Sequence, residues 1–246
     1  MSDAYSKIIL VTGANDGLGF EIAKQLAEKG HKAVRGSKKG RGRKRAVAKL
    51  TGKGLNAHFV QIDVTNPESV KAAKELVEKD NDRLDVLVNN AGILSAFAKP
   101  SEGDYKEYQR VFDTNVFGVI SVTTTFMPLI KKAKPGYGAV LNVTSGLGSN
   151  HHNATAEEVR QYLSANAYSA SKAALNSYTI GLANELRDQK IRVNCICPGI
   201  VKTKFTGYME GAKSPEDGAK LLVPWALLGP GDDDKTCQYP ALARWS

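Results

Sequence analysis

The chain has 246 residues, of which 42% are hydrophobic and 24% are charged, as is typical of one globular domain with a substantial core. No apolar stretch approaches the roughly 20 residues that cross a bilayer, and no apolar run of signal-peptide type precedes Tyr5. We therefore expect a soluble, cytoplasmic protein with a single domain over residues 1–246 and no membrane partner.

The three cysteines, Cys195, Cys197 and Cys237, are odd in number and lack the spacing of a zinc site. We expect buried free thiols, with neither a disulfide framework nor a bound metal ion.

The net charge of +9 arises mainly from one segment. Seven Lys and Arg residues and no carboxylate lie between Arg35 and Arg45, and without these seven the net charge would be +2. Because the excess of positive charge is confined to one segment, it favours contact with a single anion, or a solvated loop, over a basic surface that binds nucleic acid. We expect no nucleic-acid partner; binding of nucleic acid through this segment is a less favoured hypothesis, and it predicts a steeply salt-dependent affinity.

Strands and helices alternate along the chain. Residues 7–12 (KIILVT) are a short β-branched run of the kind that is buried on both faces of a parallel sheet, and a glycine turn and an amphipathic helix follow. In chain order we predict a strand at 7–12, a helix at 20–29, a strand at 31–36, a helix at 43–52, a strand at 58–62, a helix at 66–79, a strand at 84–88, a helix at 104–132, a strand at 139–144, a helix at 165–187, a strand at 191–196 and a helix at 215–228.

This alternation predicts an α/β fold, namely a doubly wound parallel sheet of the Rossmann type in a single domain. In such sheets ligands bind at the carboxyl ends of the strands. Two segments fit the pattern poorly: residues 148–165 resemble an inserted loop, and residues 229–246 resemble an irregular tail.

Three glycines separate the first strand from the first helix, at Gly13, Gly17 and Gly19. Glycine lets the backbone turn sharply and approach a pyrophosphate, and the start of the next helix offers unpaired N–H groups and a positive dipole end. Three close glycines often form only a turn, so it is the flanking strand and helix that favour a dinucleotide site. The predicted cofactor contacts also include the residues between these glycines, which are Asn15, Asp16 and Leu18.

The end of the second strand indicates which dinucleotide binds. Sites that prefer NAD usually carry an acidic residue about 20 positions after the glycine motif, where it holds the ribose hydroxyl. Here no carboxylate occurs between residues 28 and 63, and Ser37 and Lys38 stand at that place. Bases can pair with a 2′-phosphate, so NADPH is favoured over NADH. Against this, the bases at 41–45 could begin a solvated helix, and the carboxylate of Asp16 is unfavourable near a phosphate.

Tyr168 and Lys172 are four residues apart on a predicted helix and project from one face. A free phenol, with a pKa of about 10, is a poor proton donor at neutral pH, whereas a fixed ammonium beside it would lower that pKa. Tyr168 could then protonate a carbonyl oxygen while a hydride reaches the carbon. The spacing is common by itself, so it gains weight from Ser145 and Asn115, which could join the same site. The alternatives are a turn residue for Ser145 and an interior amide bonded to backbone for Asn115.

Together these residues make the chain resemble the short-chain dehydrogenase/reductase family, and especially its carbonyl-reductase-like members, over residues 7–203. The shared motifs, in the family's order, are Thr12-Gly13-x-x-x-Gly17-x-Gly19, Asp63-Val64, Asn89-Asn90-Ala91-Gly92, Asn115, Ser145, Tyr168-x-x-x-Lys172 and Pro198-Gly199. The resemblance implies an NADP(H)-dependent oxidoreductase of small-molecule carbonyls or alcohols that assembles as a homodimer or homotetramer.

The resemblance also implies a role for each motif. Asp63 and Val64 would border the adenine; Asn90, Ala91 and Gly92 would line the cofactor path; Pro198 and Gly199 would contact the cofactor; and Ile200 and Thr203 would hold the nicotinamide carboxamide. Tyr168 and Lys172 would also contact the cofactor, Lys172 through the nicotinamide ribose. Asn115 would complete a catalytic tetrad with Ser145, Tyr168 and Lys172, and would hold a water that connects the lysine to solvent.

The chain departs from the family pattern in three places. Ser145 and Tyr168 are 23 residues apart, further than in typical members, and the insert between them includes His151 and His152, which we interpret as loop residues. The basic segment after the second strand is unusually dense, and the tail matches the family's usual ending poorly. The competing hypothesis is a catalytically silent NADP(H)-binding regulator or scaffold of the same fold, against which the complete tetrad argues.

Overall fold

The computed structural model describes residues 5–38, 50–155, 165–232 and 234–236. These residues form six strands, which are β1 (Ile8–Val11), β2 (Lys32–Ser37), β3 (Ala57–Gln61), β4 (Val86–Asn89), β5 (Ala139–Val143) and β6 (Arg192–Ile196). The same described residues form seven α-helices, which are α1 (Gly17–Glu28), α2 (Pro67–Asn81), α3 (Tyr105–Phe112), α4 (Gly118–Ile130), α5 (Asn150–Thr155), α6 (Asn166–Leu186) and α7 (Pro215–Ala226).

The strands form one sheet in the order β3-β2-β1-β4-β5-β6, and every neighbouring pair is parallel. The prediction of a doubly wound parallel sheet of the Rossmann type in a single domain is therefore confirmed. The chain order reverses direction between β1 and β4, so the loops after these two strands diverge and leave a crevice at the carboxyl edge of the sheet.

Helices cover both faces of the sheet. On one face Leu10 of β1 packs with helical residues such as Phe126 of α4. On the other face Ile9 of β1 packs with Ile22 of α1 and Leu222 of α7. Because successive side chains of a strand point to opposite faces, a central strand between two helical layers needs an apolar residue at every position. This explains why β1 is a continuous apolar run in the sequence.

The long helical segment predicted over residues 104–132 is helical from Tyr105 to Ile130, but it is not α-helical throughout. A π-helical turn, Asp113–Phe117, separates α3 from α4, and in it the N–H of Gly118 bonds to the carbonyl of Asp113, five residues earlier. One additional residue in a helical turn hardly changes the apolar spacing on either side, so the pattern does not reveal it. Asn115 lies at the centre of this turn.

The other predicted elements agree with the structure to within two residues at each end, except that α1 begins at Gly17, three residues before the predicted start. The later two glycines of the motif thus belong to the helix. Most of the helix predicted at 43–52 lies outside the described residues. Within the described ranges, no helix is both long and apolar enough to cross a membrane.

The predicted insert is described over residues 148–155 and at Ala165. It contains the short helix α5, and Ala165 at its end forms a parallel bridge with Ala98. Residues 156–164 lie outside the described residues.

The described part of the tail contains no seventh strand beside β6. It is held instead by Arg192, the first residue of β6, whose guanidinium donates hydrogen bonds to the carbonyls of Gly136, Gly229 and Asp232. Arg192 is buried, so these bonds join the tail firmly to the edge of the sheet.

Candidate active site

The glycine turn lies directly against the loop that follows β4. Gly13 has a φ of +65°, and a Cβ added to it would lie 2.8 Å from the Cα of Ala91. A Cβ added to Gly19 would overlap the side-chain amide of Asn90 and lie 2.7 Å from the carbonyl oxygen of Gly13. The close approach of the two loops therefore requires glycine at both positions.

Thr12 and Asn90 hold these two loops together. The hydroxyl of Thr12 accepts hydrogen bonds from the backbone N–H groups of Asn90 and Ala91, each at 3.0 Å. The side-chain amide of Asn90 donates to the carbonyl of Thr12 at 2.9 Å. Sequence reasoning assigned no role to Thr12, although a threonine directly before the glycine motif was a usable signal. In the structure, both side chains fix the shape of the turn.

The first turn of α1 borders the crevice. Asp16 precedes the helix as its N-cap residue, but its side chain makes no capping hydrogen bond and instead accepts one from Asn15 at 3.3 Å. A Cβ added to Gly17 would lie 3.2 Å from Thr203, so the segment after β6 approaches this turn. Leu18 packs against the core between α1 and α7. The first N–H groups of α1, which the Asp16 side chain does not cap, suit a phosphate group.

The side chains at the end of β2 differ in exposure. Ser37 is buried, whereas the side chain of Lys38 is 66% exposed and its Nζ lies 2.8 Å from a carboxylate oxygen of Asp63. Burial alone would raise the pKa of Asp63, but hydrogen bonds from Lys38 and Thr65 outweigh burial and lower it. The lysine predicted to meet a phosphate is thus paired with the aspartate predicted to border the adenine. The following bases, at 39–45, lie outside the described residues.

Arg35 does not belong to a solvated segment. It lies within β2 beside Val11 of β1, and only 1% of it is exposed. Interpreting the whole basic segment as one loop is therefore wrong for its first residue. The predicted strand at 31–36 already contained Arg35, so its burial could have been inferred from the sequence.

The start of α6 brings Tyr168 and Lys172 to the carboxyl end of β5. The Nζ of Lys172 lies 5.7 Å from the centre of the Tyr168 ring and donates a hydrogen bond to the carbonyl of Val143 at 2.8 Å. Ser145, two residues further along, is close enough to Tyr168 for its hydroxyl to lower the pKa of the phenol. Three of the four predicted catalytic side chains therefore share one site.

Burial is the largest influence on the pKa values of Tyr168 and Lys172. Burial raises the pKa of Tyr168, and the hydroxyl of Ser145 opposes that rise only in part. Burial also lowers the pKa of Lys172 to about 8. The expectation that the ammonium would lower the pKa of the phenol is wrong for this structure, because loss of hydration outweighs the other influences on it. Tyr168 is consequently held in its protonated, proton-donating form.

Asn115 lies behind this group in the π-helical turn and is fully buried. Its side chain accepts a hydrogen bond from the N–H of Ile93 at 2.9 Å, and it donates to the carbonyl of Ile93 and to the hydroxyl of Ser171. A Cβ added to Gly92 would lie 3.3 Å from Asn115 and 3.8 Å from the Nζ of Lys172. The Asn115 amide is therefore near the lysine, and its bonds secure the loop after β4.

Val64 lies at the edge of the hydrophobic core. It packs against the core beside α2 and α4, and a Cβ added to Gly118, the first residue of α4, would lie 3.0 Å from its side chain. Its neighbour Asp63, by contrast, faces Lys38.

The loop after β5 is fixed to α6 below Lys172. The side chain of Asn176 accepts a hydrogen bond from the hydroxyl of Thr144 at 2.6 Å and donates one to the carbonyl of Gly148 at 3.2 Å. A Cβ added to Gly148 would lie 2.9 Å from the backbone carbonyl carbon of Lys172. Sequence reasoning missed Asn176, although it follows Lys172 by one helical turn on the same face.

Cys197 connects the loops after β5 and β6. Its Sγ accepts hydrogen bonds from the backbone N–H groups of Gly146 at 3.2 Å and Gly199 at 3.3 Å. The carbonyl of Pro198 in turn accepts a hydrogen bond from Lys213. The thiol therefore sets the distance between the Ser145 loop and the Pro198–Gly199 turn, a role that its sequence position did not reveal.

The segment that follows this turn covers Tyr168. Ile200 is 43% exposed, and Thr203 caps a short 3₁₀ helix, Lys204–Thr206, through its side chain. Phe205 in that helix meets the ring of Tyr168 edge to face, with the ring centres 5.7 Å apart. The predicted nicotinamide end of the site thus has an apolar wall.

The two histidines of the insert, His151 and His152, lie on α5. Among the residues that the structure describes, no group of three or more His, Cys, Asp or Glu side chains is arranged to hold a metal ion.

A family model described as short chain dehydrogenase matches residues 7–213. The chain belongs to the short-chain dehydrogenase family. It is accordingly an NAD(P)-binding oxidoreductase that acts on small molecules, as the resemblance in the sequence indicated.

Several known proteins resemble this member of the family over nearly its whole length. Short-chain dehydrogenase anuI of Penicillium roqueforti is 36% identical over 235 residues, covering 93% of this chain and 92% of the relative. Carbonyl reductase (NADPH) 1 of Rattus norvegicus is 30% identical, covering 94% of this chain and 95% of the relative. A short chain dehydrogenase of Escherichia coli CFT073 solved with NADPH is 27% identical, with a TM-score of 0.81 and 95% of each chain covered.

Proposed function

We propose that the protein is an NADPH-dependent carbonyl reductase, which interconverts a ketone or aldehyde with its alcohol and uses Tyr168 as general acid and base. The observation that carries this proposal is the buried phenol of Tyr168, which lies within the influence of the Ser145 hydroxyl and adjacent to Lys172, at the carboxyl edge of the sheet. The phenol carries its proton at neutral pH, and the ammonium of Lys172 beside it would stabilise the phenolate that forms when the proton passes to a carbonyl oxygen.

The glycine turn fits a dinucleotide. Side chains are excluded at Gly13 and Gly19, so the backbone leaves a shallow cradle beside the uncapped start of α1. The residues that would hold the cofactor there are Gly13, Asn15, Asp16, Gly17 and Gly19, with Asp63, Asn90 to Gly92, and Pro198 to Thr203 further along the crevice. When bound, a reduced nicotinamide dinucleotide supplies the hydride.

The side chains of the protein handle the proton. Tyr168 donates its phenolic proton to the substrate oxygen, while the hydroxyl of Ser145 holds the same oxygen by a hydrogen bond. The ammonium of Lys172 stabilises the phenolate that remains. Phe205, which packs edge to face on Tyr168, limits the access of water to the phenol. Asn115, whose amide is bonded to Ile93, maintains the wall behind Lys172.

The preference for NADPH is supported by the end of β2, where Ser37 occupies the place of the acid that binds a ribose hydroxyl. The names of the rat relative and of the Escherichia coli complex agree with this choice. We also propose that the protein assembles as a homodimer or homotetramer through the helical layer that contains α6.

Replacement of Tyr168 tests the proposed chemistry. Tyr168→Phe retains the ring and its contact with Phe205 but removes the proton donor. We expect kcat for NADPH-dependent reduction of a panel of aldehydes and ketones to fall at least about a hundredfold, while the Kd for NADPH changes less than about twofold. Steady-state assays and fluorescence titration measure the two quantities.

The matched control is Tyr105→Phe, because Tyr105 is 77% exposed and lies in α3, outside the site. Its kinetic constants should equal those of the wild type. Wild-type activity in the Tyr168→Phe variant would contradict the mechanism. Tight NADPH binding by a wild-type protein that reduces nothing in the panel would favour the silent regulator or scaffold instead.

A further inference from the structure

Arg35 is a buried cation that the proposed chemistry does not use. It follows Ala33 by two residues in β2, so its side chain lies on the α1 face of the sheet. Its Nε and Nη2 both donate hydrogen bonds to the carbonyl of Ala14 in the glycine turn, and its guanidinium lies 5.0 Å from the centre of the Phe20 ring in α1. The side chain thus joins the second strand, the glycine turn and the first helix.

The contacts that the Arg35 guanidinium makes among the described residues are with the Ala14 carbonyl and the Phe20 ring, which carry no full negative charge. The Nη1 of Arg35 is buried and has no hydrogen-bond partner, and within the described ranges no carboxylate forms an ion pair with Arg35. Burial lowers the pKa of Arg35, and burial is the sole cause of that shift. A buried cation without a counter-charge destabilises a fold strongly. An anion that binds near the glycine turn would offset this cost, so the apoprotein is built for such an anion.

The charge of the neighbouring Lys38 is less available to a ligand than that of Arg35. Lys38 is mostly exposed and already paired with Asp63, so its effect on a ligand is screened by solvent and by the carboxylate. Arg35 is shielded from water, and a charge in such an environment acts over a longer distance. It lies two residues before Ser37, beside the end of the strand at which the adenosine ribose of a dinucleotide is bound.

We propose that Arg35 is a positioning residue that makes the protein select a dinucleotide with an additional phosphate on its adenosine ribose. Its guanidinium holds the glycine turn through Ala14, and its charge attracts the additional phosphate. This inference rests on the proposed NADPH-dependent function and assigns the selectivity to a buried residue in place of the exposed Lys38.

The test is dinucleotide binding without substrate, measured as Kd for NADPH and for NADH by fluorescence titration. Wild-type protein should bind NADPH at least about tenfold more tightly, as one charge-assisted contact permits. Arg35→Met removes the charge and Arg35→Gln retains a donor for the Ala14 carbonyl. Both should lose most of this preference by weakening NADPH binding more than NADH binding. Arg35→Lys, which retains the charge, should preserve it.

Two control variants separate this role from net charge and from the exposed base. Lys53→Met makes the same change in charge at an exposed position, and Lys38→Met removes the base paired with Asp63. Both should keep the preference for NADPH within about threefold of wild type. Equal weakening of NADPH and NADH binding in Arg35→Gln, or loss of preference in Lys38→Met alone, would overturn the inference.

A measurement on the wild type covers the case in which the neutral variants fail to fold. If the unmodified protein binds NADPH and NADH with equal affinity, the inference is overturned while the proposed reductase activity stands. If it binds neither dinucleotide, both are overturned. Absence of turnover with intact NADPH selectivity would refute the reductase function and leave the role of Arg35 supported.

Discussion

The burial of Lys172 sets the pH range in which the proposed site can work. The pKa of this amine is lowered to about 8, so the ammonium is present below that pH and is lost above it. The phenolate that forms when Tyr168 gives up its proton needs the ammonium beside it. We expect kcat/KM for carbonyl reduction to be level from about pH 6 to 8 and to fall up to tenfold per pH unit above about 8, as measured in a series of buffers.

Lys7 provides a matched control for that profile. Burial lowers its pKa to about 8 as well, but its ammonium donates to the carbonyls of Ala226 and Leu228, at the amino end of β1 and away from Tyr168. Lys7→Met should leave the pH profile unchanged at a temperature where the variant is folded. A wild-type profile that stays level to pH 10 would show that Lys172 does not need its charge.

At the scale of single elements, Arg192 makes several of the hydrogen bonds that join β6 to the tail, beside those from the N–H of Val193 to Thr236 and from Asn194 to Lys235. Arg192 donates to three carbonyls, at 2.6 Å to Gly136, 2.7 Å to Gly229 and 2.9 Å to Asp232. Arg192→Met leaves one buried and two partly buried carbonyls without that donor, so we expect the free energy of unfolding to fall by about 2–4 kcal/mol in urea titrations. The Kd for NADPH should stay within about twofold, because Arg192 begins β6 and the site lies beyond its other end.

Two results would contradict the prediction for Arg192→Met. Unchanged stability of Arg192→Met would mean that water replaces the guanidinium and that the tail contributes little to the fold. A large change in NADPH affinity would mean that the tail affects the crevice through β6.

The elements differ in how far their sequences determine them. The strands were predictable because β1 is apolar at every position and β5 at every position except Asn142, and a glycine or serine follows two residues after each strand. The π-helical turn at Asp113–Phe117 was not, because the extra residue is accommodated by a hydrogen bond between Asn115 and a loop over 20 residues earlier in the chain. Local periodicity contains no information on such a tertiary contact.

At the scale of the whole molecule, apolar side chains remain exposed on the helical layer that contains α6. Phe117 is 56% exposed and Ile180 is 42% exposed, and the π-helical turn that carries Phe117 packs against α6. We expect a solution mass of two or four times 26.5 kDa by light scattering. Ile180→Lys should shift the mass toward the monomer, because a charge in an apolar interface is unfavourable. A monomeric wild type would contradict the proposed assembly.

The whole candidate site was only partly visible in the sequence. The motif residues Ser145, Tyr168 and Lys172 could be grouped because each lies at a strand end or one helical turn from its neighbour. The partners of Arg35 and Cys197 could not be predicted, although the strand that contains Arg35 was, because these contacts join segments that are distant in the sequence: Arg35 reaches Ala14, and Cys197 reaches Gly146. The ionisation of Tyr168 was also beyond prediction, since it depends on burial.

Gly148 fixes the loop after β5 to the helix that carries Lys172. No side chain fits at this position, because the backbone there lies against Lys172 and is bonded to Asn176. The chain is therefore anchored to α6 at the very point where the insert begins. A change of length or composition after Gly148 should therefore leave Lys172 in place.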